Sequence, residues 1–97
     1  MSRHAATPFN AITEAINRRA LLQFSYNGRR RTVEPYCFGI STTGSDVLRA
    51  IEVGGGFGKL WKVSEMPDVL VLEDTFTPDD PNYNPNDKAM TQIYCRI

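Results

Sequence analysis

The chain has 97 residues, of which 41% are hydrophobic and 23% are charged. This length supports one domain with a modest core, and the apolar fraction argues against a disordered chain. No apolar run is long enough to span a bilayer and no apolar signal core stands near the start, so we expect a cytoplasmic protein without a membrane partner. Cys37 and Cys95 stand far apart and His4 is the one histidine. We therefore expect reduced thiols, no metal site and no cofactor.

The chain carries 11 basic and 11 acidic residues, but these are unevenly distributed along it. Residues 1–62 contain nine basic residues against four acidic ones, and residues 63–97 contain two against seven. Such an asymmetry predicts a dipolar surface whose basic side could meet an anion. The alternative is that solvated charges have segregated by chance.

A helix is predicted at residues 7–20. Thr7 can cap its N-terminus, Pro8 suits the first helical position, and the apolar residues from Phe9 to Ala20 approximate one helical face. The pattern then changes to alternation, with apolar residues at every second position from Leu22 to Tyr26, which predicts a strand.

The dipeptide Asn27-Gly28 is the strongest hairpin signal in the chain. The partner strand should run over 29–34, and Pro35 should end or bulge its ladder because proline has no amide hydrogen. Further extended segments are predicted at 36–40, 46–53, 59–63 and 69–72. Segment 46–53 has apolar residues on both faces, which indicates a central strand.

One helix and about five short strands with tight turns predict a mainly β protein with a small, strongly curved sheet or barrel. A proline- and asparagine-rich loop should follow over 77–87. The tail, 88–97, has apolar residues at helical spacing, which favours a helix, although alternate residues from Thr91 to Ile97 also fit a strand.

Three motifs that would bring chemistry fail on inspection. The glycines that end in Gly58-Lys59 lack the spacing and the Ser or Thr of a phosphate-binding loop, so they predict a flexible turn. Residues 80–84 begin like a calcium loop, but Pro85 and Thr91 stand where glycine and glutamate are needed. No nucleophile and base pair is evident, and we expect no enzymatic activity.

Basic and aromatic residues are the remaining signal. Alternation places Arg29 and Arg31 on one face of their strand and Arg30 on the other. The further members of the set are Arg49, Lys59 and Lys62, with Tyr26, Tyr36, Phe57 and Trp61 between them. Such residues can bind phosphates and stack on bases. Alternatively, the aromatic side chains are core residues and the arginines shield strand edges.

The order of residues resembles a WYL domain over roughly 12–76. The opening half supports this most: an apolar helix, a strand that ends in Tyr26 before Asn27-Gly28, and then Arg31-x-Val33-Glu34-Pro35-Tyr36. Residues 46–50 fall on the run that names the family, where Asp46 and Val47 replace its Trp and Tyr. Residues 59–66 fall on a later basic motif, where Lys59 and Glu65 replace two arginines, and Phe76 matches a closing Phe.

This resemblance implies an SH3-like or Sm-like five-stranded barrel, with an N-terminal helix and a C-terminal extension. The expected organisation is a single WYL-like domain over 1–97, with the helix at 7–20, the barrel at 21–76 and a loop and C-terminal segment at 77–97. WYL domains typically serve as ligand-sensing modules of transcription regulators, which bind nucleotides or single-stranded nucleic acid. Carried over to this chain, Tyr26, Arg31 and Lys59 occupy pocket positions.

We therefore predict a non-enzymatic module that binds an anionic ligand, either a nucleotide or single-stranded nucleic acid. Arg29, Arg31 and Lys59 would contact phosphate, while Tyr26 and Trp61 would offer rings for stacking. The alternative is an interaction or assembly module that has lost the pocket and pairs with a protein partner or a second copy. An ion pair between Glu65 and Arg31 would favour that alternative.

Overall fold

A computed structural model describes residues 7–55 and 58–97 of the chain. His4 and Phe57, which the sequence analysis considered, lie outside the described residues. The elements are helix α1 (Pro8–Arg18) and the strands β1 (Ala20–Tyr26), β2 (Arg29–Ser41), β3 (Asp46–Glu52), β4 (Lys59–Lys62), β5 (Leu70–Thr75) and β6 (Met90–Arg96). A short 3-10 turn at Val63–Glu65 follows β4. Within the described ranges, no helix is long and apolar enough to cross a membrane.

Helix α1 begins as its sequence predicts but ends at Arg18, before the predicted end at residue 20. The Thr7 hydroxyl accepts a hydrogen bond from the Asn10 amide at 3.2 Å, and Pro8 occupies the first turn, where no amide hydrogen is needed. At the other end Arg19 adopts a left-handed backbone with φ 54°, and its amide donates to the Ile16 carbonyl. The buried face of the helix, which includes Ile12 and Ile16, covers one side of the sheet.

The strands form one antiparallel sheet in the order β4-β3-β2-β1-β5. Strand β3 is central, as predicted, because it lies between β2 and β4. The long strand β2 pairs with β1 along its first half and with β6 along its second half. The β2–β3 ladder shifts register between Pro35 and Cys37, which confirms the bulge expected at the proline.

The sheet is strongly curved but open. Strands β1 and β4 are three places apart, which in a flat sheet would separate them by about 14 Å. Nevertheless the rings of Tyr26 on β1 and Trp61 on β4 lie only 4.9 Å apart, centroid to centroid. Each of β4 and β5 pairs with one strand among the described residues, so the sheet curls without closing. This confirms a curved sheet and not a closed barrel.

The C-terminal segment forms a sixth strand, β6, so the favoured helix was wrong. Beyond Val33, strand β2 has an edge that β1 no longer pairs, and β6 fills it from Cys37 to Ser41. This pairing gives hydrogen-bond partners to the backbone groups along that edge of β2. The gain from these hydrogen bonds outweighs the helical spacing of the side chains.

Alternation along β2 and β3 creates two apolar clusters on opposite faces of the sheet. The main core lies under helix α1 and includes Phe24, Phe38 and Trp61. The second core is smaller and consists of Cys37, Val47 and Met90, with Tyr83 and Ile93 packed against it. Segment 77–89, which has no regular secondary structure, contributes Tyr83 to this second face.

Candidate functional site

Four of the five predicted site residues meet at the end of the sheet where β1 and β4 approach. The rings of Tyr26 and Trp61 are in edge contact at 4.9 Å. The Arg31 guanidinium carbon lies 5.8 Å from the Trp61 ring centroid, and the Lys59 ammonium lies 5.3 Å from it. Both distances are within the range of cation–π attraction. We call Tyr26, Arg31, Lys59 and Trp61 the Trp61 cluster.

Trp61 does not present its ring to solvent, since only 2% of its surface is exposed. Its indole N–H donates to the Ala50 carbonyl at 3.1 Å, and its ring packs edge-on against Phe24. The expectation that Trp61 stacks on a base does not fit this burial. The ring belongs to the main core, and the cations of Arg31 and Lys59 lie over it. Tyr26 is half-buried, and its hydroxyl accepts a hydrogen bond from the Lys62 amide at 3.2 Å.

Arg31 is held by three contacts. Its Nη1 donates to both carboxylate oxygens of Glu52, at 3.2 and 3.4 Å, and its Nε donates to the Tyr26 carbonyl at 3.4 Å. The third contact is the Trp61 ring. The carboxylate beside Arg31 therefore comes from Glu52 at the end of β3, whereas the sequence analysis had considered Glu65.

The other two hairpin arginines have different environments. Arg29 is exposed and lies opposite Tyr26 in the β1–β2 register, on the same strand face as Arg31. Arg30 points to the other face, where it donates to the Asp68 carbonyl at 3.0 Å and to Gln23 and Ser25. Arg30 thus ties the hairpin to the loop before β5, while Arg29 leaves its charge in solvent next to the cluster.

A second polar centre was not foreseen from the sequence. Arg49 on β3 donates through Nε and Nη2 to the two carboxylate oxygens of Asp87, at 2.7 and 3.1 Å. This pair lines a cavity of about 190 Å³ between the sheet and segment 77–89, together with Tyr36, Tyr83 and Asn82. The two charges are 38 residues apart in sequence. No local pattern could therefore have linked them.

The Arg49–Asp87 pair should make the stability of the fold depend on pH in the acidic range. Hydrogen bonding to Arg49 holds the pKa of Asp87 below its usual value. A carboxylate with a lowered pKa stabilises the folded state above its unfolded pKa, and this contribution is lost as pH falls through the lower folded pKa. We expect Asp87→Asn to destabilise the protein at pH 7 and to flatten the loss of stability below about pH 4.

Thermal unfolding followed by circular dichroism between pH 2 and pH 7 measures this effect. Asp74→Asn is the matched control, because Asp74 is exposed on β5. An acid dependence that is equally steep in the wild type and in Asp87→Asn would contradict the assignment.

Next to this cavity lies a second one of about 250 Å³, whose lining includes the acidic residues Glu34, Glu52, Asp79 and Asp80. Burial raises the pKa of Glu34, and the charges of Asp79 and Asp80 raise it further. Three acidic residues of the C-terminal part of the sequence, Asp79, Asp80 and Asp87, therefore line the two cavities. Acidic residues from both parts of the sequence thus gather at this groove, while the Trp61 cluster carries the cations Arg31 and Lys59.

The fold of this chain is similar to that of a solved structure. Proteasome accessory factor B/C (PafBC) of Arthrobacter aurescens matches with a TM-score of 0.69 and 25% sequence identity. The match covers 86% of this chain but only 14% of PafBC, so the chain corresponds to a small part of that protein. No protein-family model and no curated protein matches the sequence. This likeness supports a WYL-like fold for this chain.

Proposed function

We propose that this chain is a non-enzymatic regulatory module, WYL-like, that binds an anionic ligand at the Trp61 cluster. The ligand is a nucleotide or a single-stranded nucleic acid. The observation that supports this most is the convergence of Arg31 and Lys59, from two different strands, on one buried ring. Arg29 adds a third cation on the same strand face. The half-buried Tyr26 ring is the surface available for a base to stack on.

The regulatory part of the proposal rests on the resemblance to WYL domains, which the likeness to PafBC supports, and the ligand part rests on chemistry. Guanidinium groups bind phosphate oxygens through paired N–H donors, and an ammonium adds a point charge. Arg31 is half-buried, whereas Lys59 and Arg29 are exposed. A phosphate could therefore meet the two exposed cations first and Arg31 deeper in the site.

Fluorescence anisotropy with a fluorescein-labelled oligo(dT) tests the proposal. Three phosphate contacts to a single strand give a salt slope of about −2, so affinity should fall roughly 20-fold between 50 and 200 mM salt. Lys59→Ala and Arg29→Ala should each weaken binding at 50 mM salt and each make the slope shallower by about 0.7.

Lys88→Ala is the matched control for loss of one positive charge. Lys88 is exposed and precedes Ala89, whose carbonyl accepts from Thr42 in the β2–β3 turn, at the end of β2 away from the β1–β2 hairpin. If Lys88→Ala weakens binding as much as Lys59→Ala does, the interaction is general charge attraction and the proposed site is wrong. Competition by unlabelled ATP and AMP then separates a nucleotide site from a strand-binding site.

The alternative function, a protein-interaction or assembly module, is favoured by the open strand edges. Strands β4, β5 and β6 each pair with one neighbour among the described residues. Leu70 on β5 is also 49% exposed. Such edges can accept a strand from another chain. A concentration-dependent dimer in analytical ultracentrifugation, with no anisotropy change at 50 mM salt, would support this alternative.

A further inference from the structure

We infer that Glu52 is an internal competitor for the ligand, which neutralises Arg31 until an anion displaces it. This inference rests on the proposed function, since it concerns the regulation of the same site. Glu52 is the last residue of β3, and its Cα partner on β2 is Val33. Val33 is two residues from Arg31 on the same strand face. Both its oxygens lie within 3.4 Å of Arg31 Nη1.

The ion pair is partly protected from solvent. The side chains of Arg31 and Glu52 are 13% and 25% exposed, in contrast to 48% and 52% for the Arg18–Glu14 pair on the surface of helix α1. Salt and water screen a shielded pair less than an exposed one. A ligand must therefore compete with a carboxylate that is held in place by the fold and acts at a high effective concentration.

The surroundings of Glu52 oppose its release. The cavity on its other side, about 250 Å³ in volume, is lined by Glu34, Asp79 and Asp80. Like charges repel, so moving the Glu52 carboxylate from Arg31 toward these three acidic residues is unfavourable. Arg31 attracts the carboxylate and the cavity repels it, and both effects keep Glu52 on the guanidinium.

Two consequences follow for binding. The wild-type site has the cations Arg31 and Lys59 of the Trp61 cluster and the neighbouring Arg29, but the charge of Arg31 is cancelled by Glu52. Anion affinity is accordingly lower than the number of cations suggests, and the site distinguishes anions by their ability to displace a carboxylate. Glu52→Gln removes the competing charge, keeps the size of the side chain and leaves Arg31 in place over Trp61.

The experiment measures the affinity for labelled oligo(dT) at 50 mM salt by anisotropy. Glu52→Gln should bind about five- to fiftyfold tighter than the wild type, which lies within the range usual for coupling between two interactions. Glu65→Gln is the matched control, because Glu65 is exposed and follows β4 but makes no ion pair with any described residue. This control should change affinity less than twofold.

A double-mutant cycle separates the specific contact from a general change in net charge. In an Arg31→Lys background, which retains the charge without the planar guanidinium, the gain from Glu52→Gln should shrink at least threefold. Circular dichroism confirms that each variant is folded. If the wild type binds but Glu52→Gln binds no tighter than Glu65→Gln, the inference is overturned while the proposed function stands. If none of these proteins binds, both are overturned.

Discussion

Replacing Gly39 by alanine should cost about 3 kcal/mol of folding stability, at the upper end of what overpacking in a core costs. Gly39 lies on β2, and its Cα partner on β6 is Ile93. A Cβ atom there would collide with the Gln92 carbonyl oxygen and stand only 3.0 Å from the Ile93 Cα, both of which are backbone atoms of β6. Backbone cannot rotate aside as a side chain can, so β6 has to move.

The loss should begin locally. Strand β6 pairs only with β2 among the described residues, and it supplies Met90 to the second core. Hydrogen exchange of Gly39→Ala should therefore show amides 90–96 losing protection before those of β1 and β3. Urea unfolding followed by circular dichroism gives the overall change in free energy.

Gly58→Ala is the matched control. A Cβ at Gly58 would stand 3.2 Å from the Arg49 Cδ, a side-chain atom that can shift. This control should cost less than about 1 kcal/mol. A Gly39→Ala protein as stable as Gly58→Ala would mean that β6 does not approach β2 as closely as described.

The same glycine explains why the C-terminal element was mispredicted. The β1–β2 hairpin follows from Asn27-Gly28, because two adjacent residues with positive φ form the turn that matches strand twist, and both have positive φ here. No comparable local signal exists in 90–96, where the apolar residues fit both periods. Strand β6 forms because β2 has an edge that β1 does not pair, and Gly39 on that edge has no side chain to block β6. Gly39 stands more than fifty residues earlier in the chain. Only the folded arrangement shows that the two strands pair.

The candidate site could also be predicted from the sequence only in part. The cations Arg31 and Lys59 and the ring of Tyr26 could be selected from the sequence, because the resemblance to WYL domains marks their positions. Their counter-charge could not be selected. Glu52 has no feature in sequence that distinguishes it from Glu65, and the choice between them depends on the β2–β3 register, which pairs Glu52 with Val33. Sequence patterns thus locate strands and their faces, while long-range pairs of charges depend on strand register and on how loops pack against the sheet.

Curvature also gives Trp61 its role, and Trp61→Ala should be the second substitution with a large effect. Truncating a buried tryptophan costs about 3–5 kcal/mol through lost burial and a residual cavity. Trp61 is 2% exposed and contacts the rings of Phe24 and Tyr26. Without this ring, Arg31 and Lys59 lose the surface that both lie on. Unfolding in urea should report the loss of stability.

Trp61→Phe separates the two roles of the residue. Phenylalanine keeps an aromatic face for the cations but loses the hydrogen bond to the Ala50 carbonyl, so it should cost only about 1–2 kcal/mol. Anisotropy at 50 mM salt, at a temperature where both variants are folded, should show binding retained by Trp61→Phe and weakened in Trp61→Ala. Equal binding by the two variants would contradict the role of the ring as a platform, even if their stabilities differ. A large loss of binding in Trp61→Ala alone means that the core residue positions the charges of the site, because no ligand could reach a ring this deeply buried.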